Sequence, residues 1–349
     1  MTQLHDTNYR GFASDNYAGA HPEVLAAIAE ANGGHQVAYG EDVYTAKLQE
    51  VVKGHFGERA EAFPVFNGTG ANVTALTSLL PRWGAVIATS TAHIHTDENG
   101  APERISGLKL LTVATPDGKL TPDLIDEEAW GWGDEHRAQP LAVSITQTTE
   151  LGTLYTVGEV RAIADHVHSK GMALHMDGAR VSNAAAALGT GFREFTTDAG
   201  VDILSFGGTK NGLLYGEAVI VLNPDVSDGL SYLRKLNMQL SSKMRFVSAQ
   251  LIALLSDDLW KRSASHANDM AARLRGALEG TDGLTFTQQT QANAVFAVLP
   301  AGVADSLRES FRFYDWSPAT REVRWMTAFD TTESDIDAFV AAIHAELGA

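Results

Sequence analysis

Two short apolar runs, Met172-Ala173-Leu174-His175-Met176 and Ile203-Leu204-Ser205-Phe206, break into glycine turns that each deliver charged side chains. The first continues Asp177-Gly178-Ala179-Arg180, the second Gly207-Gly208-Thr209-Lys210-Asn211-Gly212. Strands apolar throughout, rather than on alternate residues, suit a parallel sheet covered on both faces. Runs at 85–89, 108–114, 141–146 and 217–222 share that texture, and helical segments separate most of them. Pro22 opens a helix over 23–31 that Gly33-Gly34 stops, and Thr45 is the expected cap of the next, with Leu48, Val51, Val52 and Phe56 at helical spacing. Further helices are predicted over 71–80, from Thr121-Pro122, and over 157–170. The alternation predicts an α/β fold with a mainly parallel sheet flanked by helices.

From about residue 259 the pattern changes to a long helix (260–278), short runs at 284–287, 293–299 and 323–328, a helix near Ala304 and a last helix from Ser334. We therefore expect a large domain over 15–255 and a smaller α+β domain over 256–349, with segment 1–14 contributing to the active site. A length of 349 residues suffices for both. The net charge of −17 argues against nucleic-acid or anionic-lipid partners. Without cysteine there is no disulfide, thiolate nucleophile or sulfur-ligated metal. The amino terminus does not read as a signal peptide, and no apolar stretch approaches the roughly 18 residues of a spanning helix, so a cytoplasmic location is the expectation.

Ligands of open parallel sheets bind beyond the carboxyl ends of the strands. A lysine and an aspartate placed there are what pyridoxal 5'-phosphate chemistry requires. Lys210 would form the Schiff base, and Asp177 would keep the pyridine nitrogen protonated. Phe66-Asn67-Gly68-Thr69-Gly70-Ala71-Asn72 supplies a phosphate site, because glycines admit backbone N–H groups and a helix start follows. In Thr91-Ala92-His93-Ile94-His95-Thr96-Asp97-Glu98, His93 is a flat ring suited to stack on the cofactor and move protons. A second reading makes His93, His95 and Asp97 half of a metallohydrolase site. Arg180 is either a fork for a substrate carboxylate or a surface ion pair. Arg245, Arg324 and Tyr39 stay open on their residues alone.

Taken in order, these strings resemble the low-specificity L-threonine aldolase family, pyridoxal-phosphate enzymes of fold type I. The resemblance is carried by Ser14-Asp15-Asn16, Tyr39-Gly40-Glu41-Asp42, the Asn67 to Asn72 string, Ala92-His93, His175-Met176-Asp177-Gly178-Ala179-Arg180, Gly207 to Gly212 and Lys243-Met244-Arg245. It implies that Lys210 holds the cofactor, Asp177 pairs with its ring nitrogen and His93 stacks on the ring. Gly68 and Thr69 would bind its phosphate, joined by Arg245 of a neighbouring subunit. Ser14, Arg180 and Arg324 would hold the substrate carboxylate, and Tyr39 would approach a neighbour's site in a dimer of dimers. One departure stands out. Where many members carry Asn-Thr-His, this chain reads Thr146-Gln147-Thr148-Thr149-Glu150-Leu151-Gly152, so Thr149 or Glu150 takes the place of a histidine.

The expected activity is retro-aldol cleavage of threonine, allo-threonine or related β-hydroxy-α-amino acids to glycine and an aldehyde. His93 is the first candidate base and Glu150 the second, with no catalytic metal. The alternatives are a phenylserine-type aldolase, a β-eliminating lyase or aminotransferase, the metal-dependent hydrolase, or a non-catalytic binding protein.

Overall fold

A computed structural model describes residues 4–348. Residues 1–3, part of the segment expected to reach the active site, lie outside the described residues. The larger sheet contains β1 (Glu61–Val65), β2 (Gly84–Thr89), β3 (Lys109–Val113), β4 (Gln139–Thr146), β5 (Ala173–Gly178), β6 (Ile203–Gly207) and β7 (Glu217–Val221). Their spatial order is β1-β7-β6-β5-β4-β2-β3. β2, β4, β5 and β6 are buried along most of their length, as their continuous apolar character requires.

Residues 217–222 share the apolar texture of the parallel strands, but β7 runs antiparallel to both of its neighbours, β6 and β1. The link from Gly207 to Glu217 is too short for the crossover of a dozen or more residues that a parallel connection needs. β1 went unpredicted because Pro64 interrupts it, and proline is tolerated there because β1 is an edge strand. Thr45 is not a cap either. Asp42 caps the helix Val43–Phe56 and accepts the Thr45 N–H at 2.8 Å and its hydroxyl at 3.0 Å.

A second, antiparallel sheet has the order β10-β11-β9-β8, from β8 (Thr285–Phe286), β9 (Ala294–Val298), β10 (Tyr314–Ser317) and β11 (Glu322–Met326). Helices Leu259–Ala277 and Glu333–Leu347 contribute to its separate core of Trp325, Phe339, Val295 and Leu274. Phe12 joins that core from the start of the chain, stacked on Phe339 at 4.3 Å between ring centroids. Burial of each such side chain is worth roughly 1.5–3 kcal/mol. No helix of the described residues is long and apolar enough to cross a membrane.

Candidate active site

β1, β2, β4, β5 and β6 point the same way, so their carboxyl ends share one edge of the sheet. The reversed strand β7 brings its first residue, Glu217, to that same edge. A cavity of about 340 Å³ opens there. Gly68, Thr69, His93, Glu150, Asp177, Arg180 and Lys210 all line it.

Close backbone packing holds the two central loops together. A Cβ on Gly207 would lie 2.4 Å from the Ala179 carbonyl oxygen, and one on Gly178 would lie 2.9 Å from the Ser205 oxygen. Only glycine lets the Asp177 turn and the Lys210 turn pass so near each other. Below them His175 is buried between Ser144 Oγ (2.8 Å from Nδ1) and Ser205 Oγ (3.0 Å from Nε2). Burial pushes its imidazole down to about 4, so it stays neutral.

Asp177 Oδ1 accepts the Ala179 N–H at 3.0 Å, and Oδ2 accepts the Asn72 amide at 2.9 Å. The same Asn72 amide nitrogen donates to Glu98 Oε1 at 2.8 Å, and His93 Nδ1 lies 2.9 Å from that oxygen. The Glu98 contact holds the His93 pKa above its ordinary value; burial opposes this and the Asp177 charge assists. His93 is therefore weighted toward its protonated form.

Glu150 Oε1 accepts the His93 backbone N–H at 2.8 Å and the Thr146 hydroxyl at 2.9 Å. Its other oxygen, Oε2, is buried without a partner. Burial, with help from the Asp177 charge, pushes the carboxyl up to about 7. Thr149, the alternative at this position, turns instead to the Thr153 hydroxyl at 2.7 Å.

Lys210 loses much of its ammonium stability to burial and to the nearby Arg180 charge, which together lower its pKa. Asn67 caps the helix Gly68–Leu79 by accepting the Gly70 N–H at 2.8 Å. The first N–H groups of that helix, at Gly68 and Thr69, have no intrahelical acceptor and are available to an anion. Gly68 and Thr69 both line the cavity, so this helix start opens on it.

Arg180 is neither a free fork nor a surface ion pair. It binds buried Asp15 bidentately, Nε to Oδ2 at 2.7 Å and Nη2 to Oδ1 at 2.9 Å. Asn293 also donates to Asp15 Oδ2, at 3.1 Å, and to the Thr327 carbonyl, at 2.8 Å. Ser14 caps the turn Asp15–Tyr17 and lines an adjoining groove rather than the cavity. Arg324 donates to the Ala13 carbonyl at 3.4 Å, keeps its Nε unpartnered, and is pushed down to about 10 by burial and by Arg180.

Tyr39 and Arg245 are not brought to this cavity. Arg245 lines a separate cleft with residues 34–38, and Tyr39 is 51% exposed beside it. The metal triad is not assembled, since His95 and Asp97 are exposed away from the buried groups. One ligand atom each from His93, Glu98 and Asp177 does come within 4.8 Å of the others. The Asn72 N–H groups already fill the space between the two carboxylates, and a donor pointing inward opposes a cation. Asn72, Glu98, Asp15 and Glu217 were not singled out from the sequence. The first three sit inside motifs quoted above, whereas Glu217 gave no signal beyond starting an apolar run.

Residues 11–300 match the β-eliminating lyase family. Low specificity L-threonine aldolases from Pseudomonas sp. and Pseudomonas aeruginosa are each 43% identical over 340 residues, 97% of this chain and 98% of theirs. The solved threonine aldolase of Leishmania major superposes with a TM-score of 0.91 at 30% identity, covering 96% of this chain and 99% of that one. The chain belongs to the β-eliminating lyase family and, within it, to the low-specificity L-threonine aldolases.

Proposed function

We propose that this chain binds pyridoxal 5'-phosphate and cleaves threonine, allo-threonine and related β-hydroxy-α-amino acids to glycine and an aldehyde, acetaldehyde for threonine. The observation that carries the proposal is a single cavity holding a desolvated lysine, a carboxylate ordered by two N–H donors, and a helix start that lines it. That donor set fits the cofactor's aldehyde, ring nitrogen and phosphate. When bound, pyridoxal phosphate supplies an electron sink for the pair of the broken Cα–Cβ bond.

The protein supplies the rest. Lys210, its pKa lowered, offers a neutral amine more readily than an exposed lysine does. Asp177 would hold the ring nitrogen protonated, and Asn72 fixes its orientation. His93 would cover the ring, while Gly68 and Thr69 N–H groups would hold the phosphate. Glu150 takes precedence over His93 as the base for the substrate hydroxyl, because Oε2 is unpartnered and the carboxyl changes charge near neutrality. Arg324 and Arg180 would draw the substrate carboxylate, with Arg180 already ordered by Asp15. Tyr39 and Arg245 would act on a neighbour's site in a cytoplasmic dimer of dimers.

Purified protein given threonine should release acetaldehyde and glycine in equal amounts, and Lys210→Ala should lose the visible absorbance of bound cofactor. Ammonia or a keto acid as the main product would instead support a β-eliminating lyase or an aminotransferase.

A further inference from the structure

The reversed direction of β7 places at the cavity a carboxyl that a parallel strand would have put at the far edge of the sheet. Glu217 is the first residue of β7 and is paired in register with Gly207, the last residue of β6. Residues 208–216 leave the sheet between these two, and Lys210 rides on that excursion. The buried Glu217 carboxylate accepts the Gly208 N–H through Oε2 and so ties the excursion at its base. Gly208 has little freedom to shift, since a Cβ there would lie 2.9 Å from the Gly216 oxygen. Both Glu217 and Lys210 line the cavity.

We propose that Glu217 is a positioning residue for Lys210: it clamps the base of the loop that carries the amine and places a negative charge beside it. The charges around the amine come from Arg180, Asp15, Asp177 and Glu217, and His93 also feels the Lys210 charge. Arg180 follows β5 and disfavours the ammonium, whereas Asp15 of the amino-terminal turn, Asp177 of β5 and Glu217 of β7 favour it. The Lys210 charge acts in turn on Glu217. Burial pushes the Glu217 carboxyl up to about 7, against the pull of the Gly208 N–H, Thr209 and the Lys210 charge. Burial drives the amine the other way, so each group limits the other's loss of charge. Above neutral pH the carboxylate is present and supports the ammonium; removing it lowers the pH at which Lys210 becomes a neutral amine.

This inference rests on the reading of Lys210 as the cofactor lysine only for its consequence, and its test is independent of that reading. Glu217→Gln keeps an oxygen to accept the Gly208 N–H and removes the charge, whereas Glu217→Ala removes both. In the full chain freed of small molecules, Lys210 is labelled with acetic anhydride across pH and quantified by mass spectrometry of its peptide. In Glu217→Gln the labelling midpoint should fall, with a melting temperature no lower than that of wild type. An unchanged midpoint overturns the charge role. Should Glu217→Ala not fold, Glu217→Gln still decides that question; a folded Glu217→Ala with wild-type melting overturns the clamp. In protein loaded with pyridoxal phosphate, the midpoint of the visible absorbance should move in the same direction. Failure of wild-type protein to take up the cofactor would sink the proposed function while leaving the labelling result to judge Glu217.

Discussion

Replacing Glu150 by glutamine separates catalysis from architecture. The amide oxygen can still accept the His93 N–H and the Thr146 hydroxyl, which now reach Oε1 at 2.8 and 2.9 Å. The amide nitrogen falls where Oε2 is buried without a partner, and it cannot take a proton. Loss of a general base slows turnover by about 10²–10⁴-fold, equivalent to roughly 3–5 kcal/mol of barrier. The carboxyl titrates at about 7, so wild-type turnover should rise as pH climbs through neutrality, and the variant should lack that limb. Stability should move oppositely. Burial lifts the folded pKa from 4.5 to about 7, so between those values the folded state holds a proton that the unfolded chain has released. Stability therefore falls as pH rises through this window, reaching a deficit of roughly 3 kcal/mol above it. Glu150→Gln escapes the deficit and should resist urea better than wild type at about pH 8, with a smaller difference at about pH 5. Aldehyde release across pH and urea unfolding at the two pH values measure both halves. Turnover within about threefold of wild type, or an unaltered acidic limb, would refute the argument and return the role to His93.

Asp15→Asn should strip the counter-charge from the buried Arg180 guanidinium and destabilise the fold by about 3–5 kcal/mol in urea near neutral pH. The wild-type advantage should fade in acid: the Asp15 carboxyl is held below 3.8, its burial outweighed by Arg180, so its contribution is present above 3.8 and lost as pH falls through the folded pKa. Gly207→Ala forces a Cβ to within 2.4 Å of the Ala179 oxygen and should lower stability by about 1–3 kcal/mol or more. An alanine variant with wild-type melting would mean that the two loops do not pack as described.

Strand interiors and strand ends were legible in the sequence because burial on both faces demands continuous apolar runs, and glycine marks where a loop must pass close. That is why Asp177 and Lys210 could be located from their surroundings. The reversal of β7 was also within reach, since the length of the link to Glu217 excludes a crossover, but apolar character carries no direction. Arg180 illustrates a different limit. The residues alone left it as a carboxylate fork or a surface ion pair, because its partner Asp15 lies 165 residues away, and local pattern cannot count such a contact. Glu98 was hidden for the same reason: its role depends on Asn72, which the helix Gly68–Leu79 delivers from 26 residues away. Glu150 stood out only where the resemblance expected a histidine, and its unpartnered oxygen needed three dimensions to see.

The seat of Asp15 also orders events during synthesis. Phe12 donates its N–H to the Arg312 carbonyl and accepts the Met326 N–H, and Asp15 is held by Asn293, itself bonded to Thr327. Phe12 and Asp15 thus rest on partners that the ribosome adds at least 278 residues later. At roughly 5–20 residues per second, a nascent chain carries Lys210 and Asp177 for several seconds before Asp15 can be seated against Asn293 to hold Arg180. The amine and the carboxylate come early, and the arginine receives its complete setting only when the carboxyl-terminal sheet closes over the beginning.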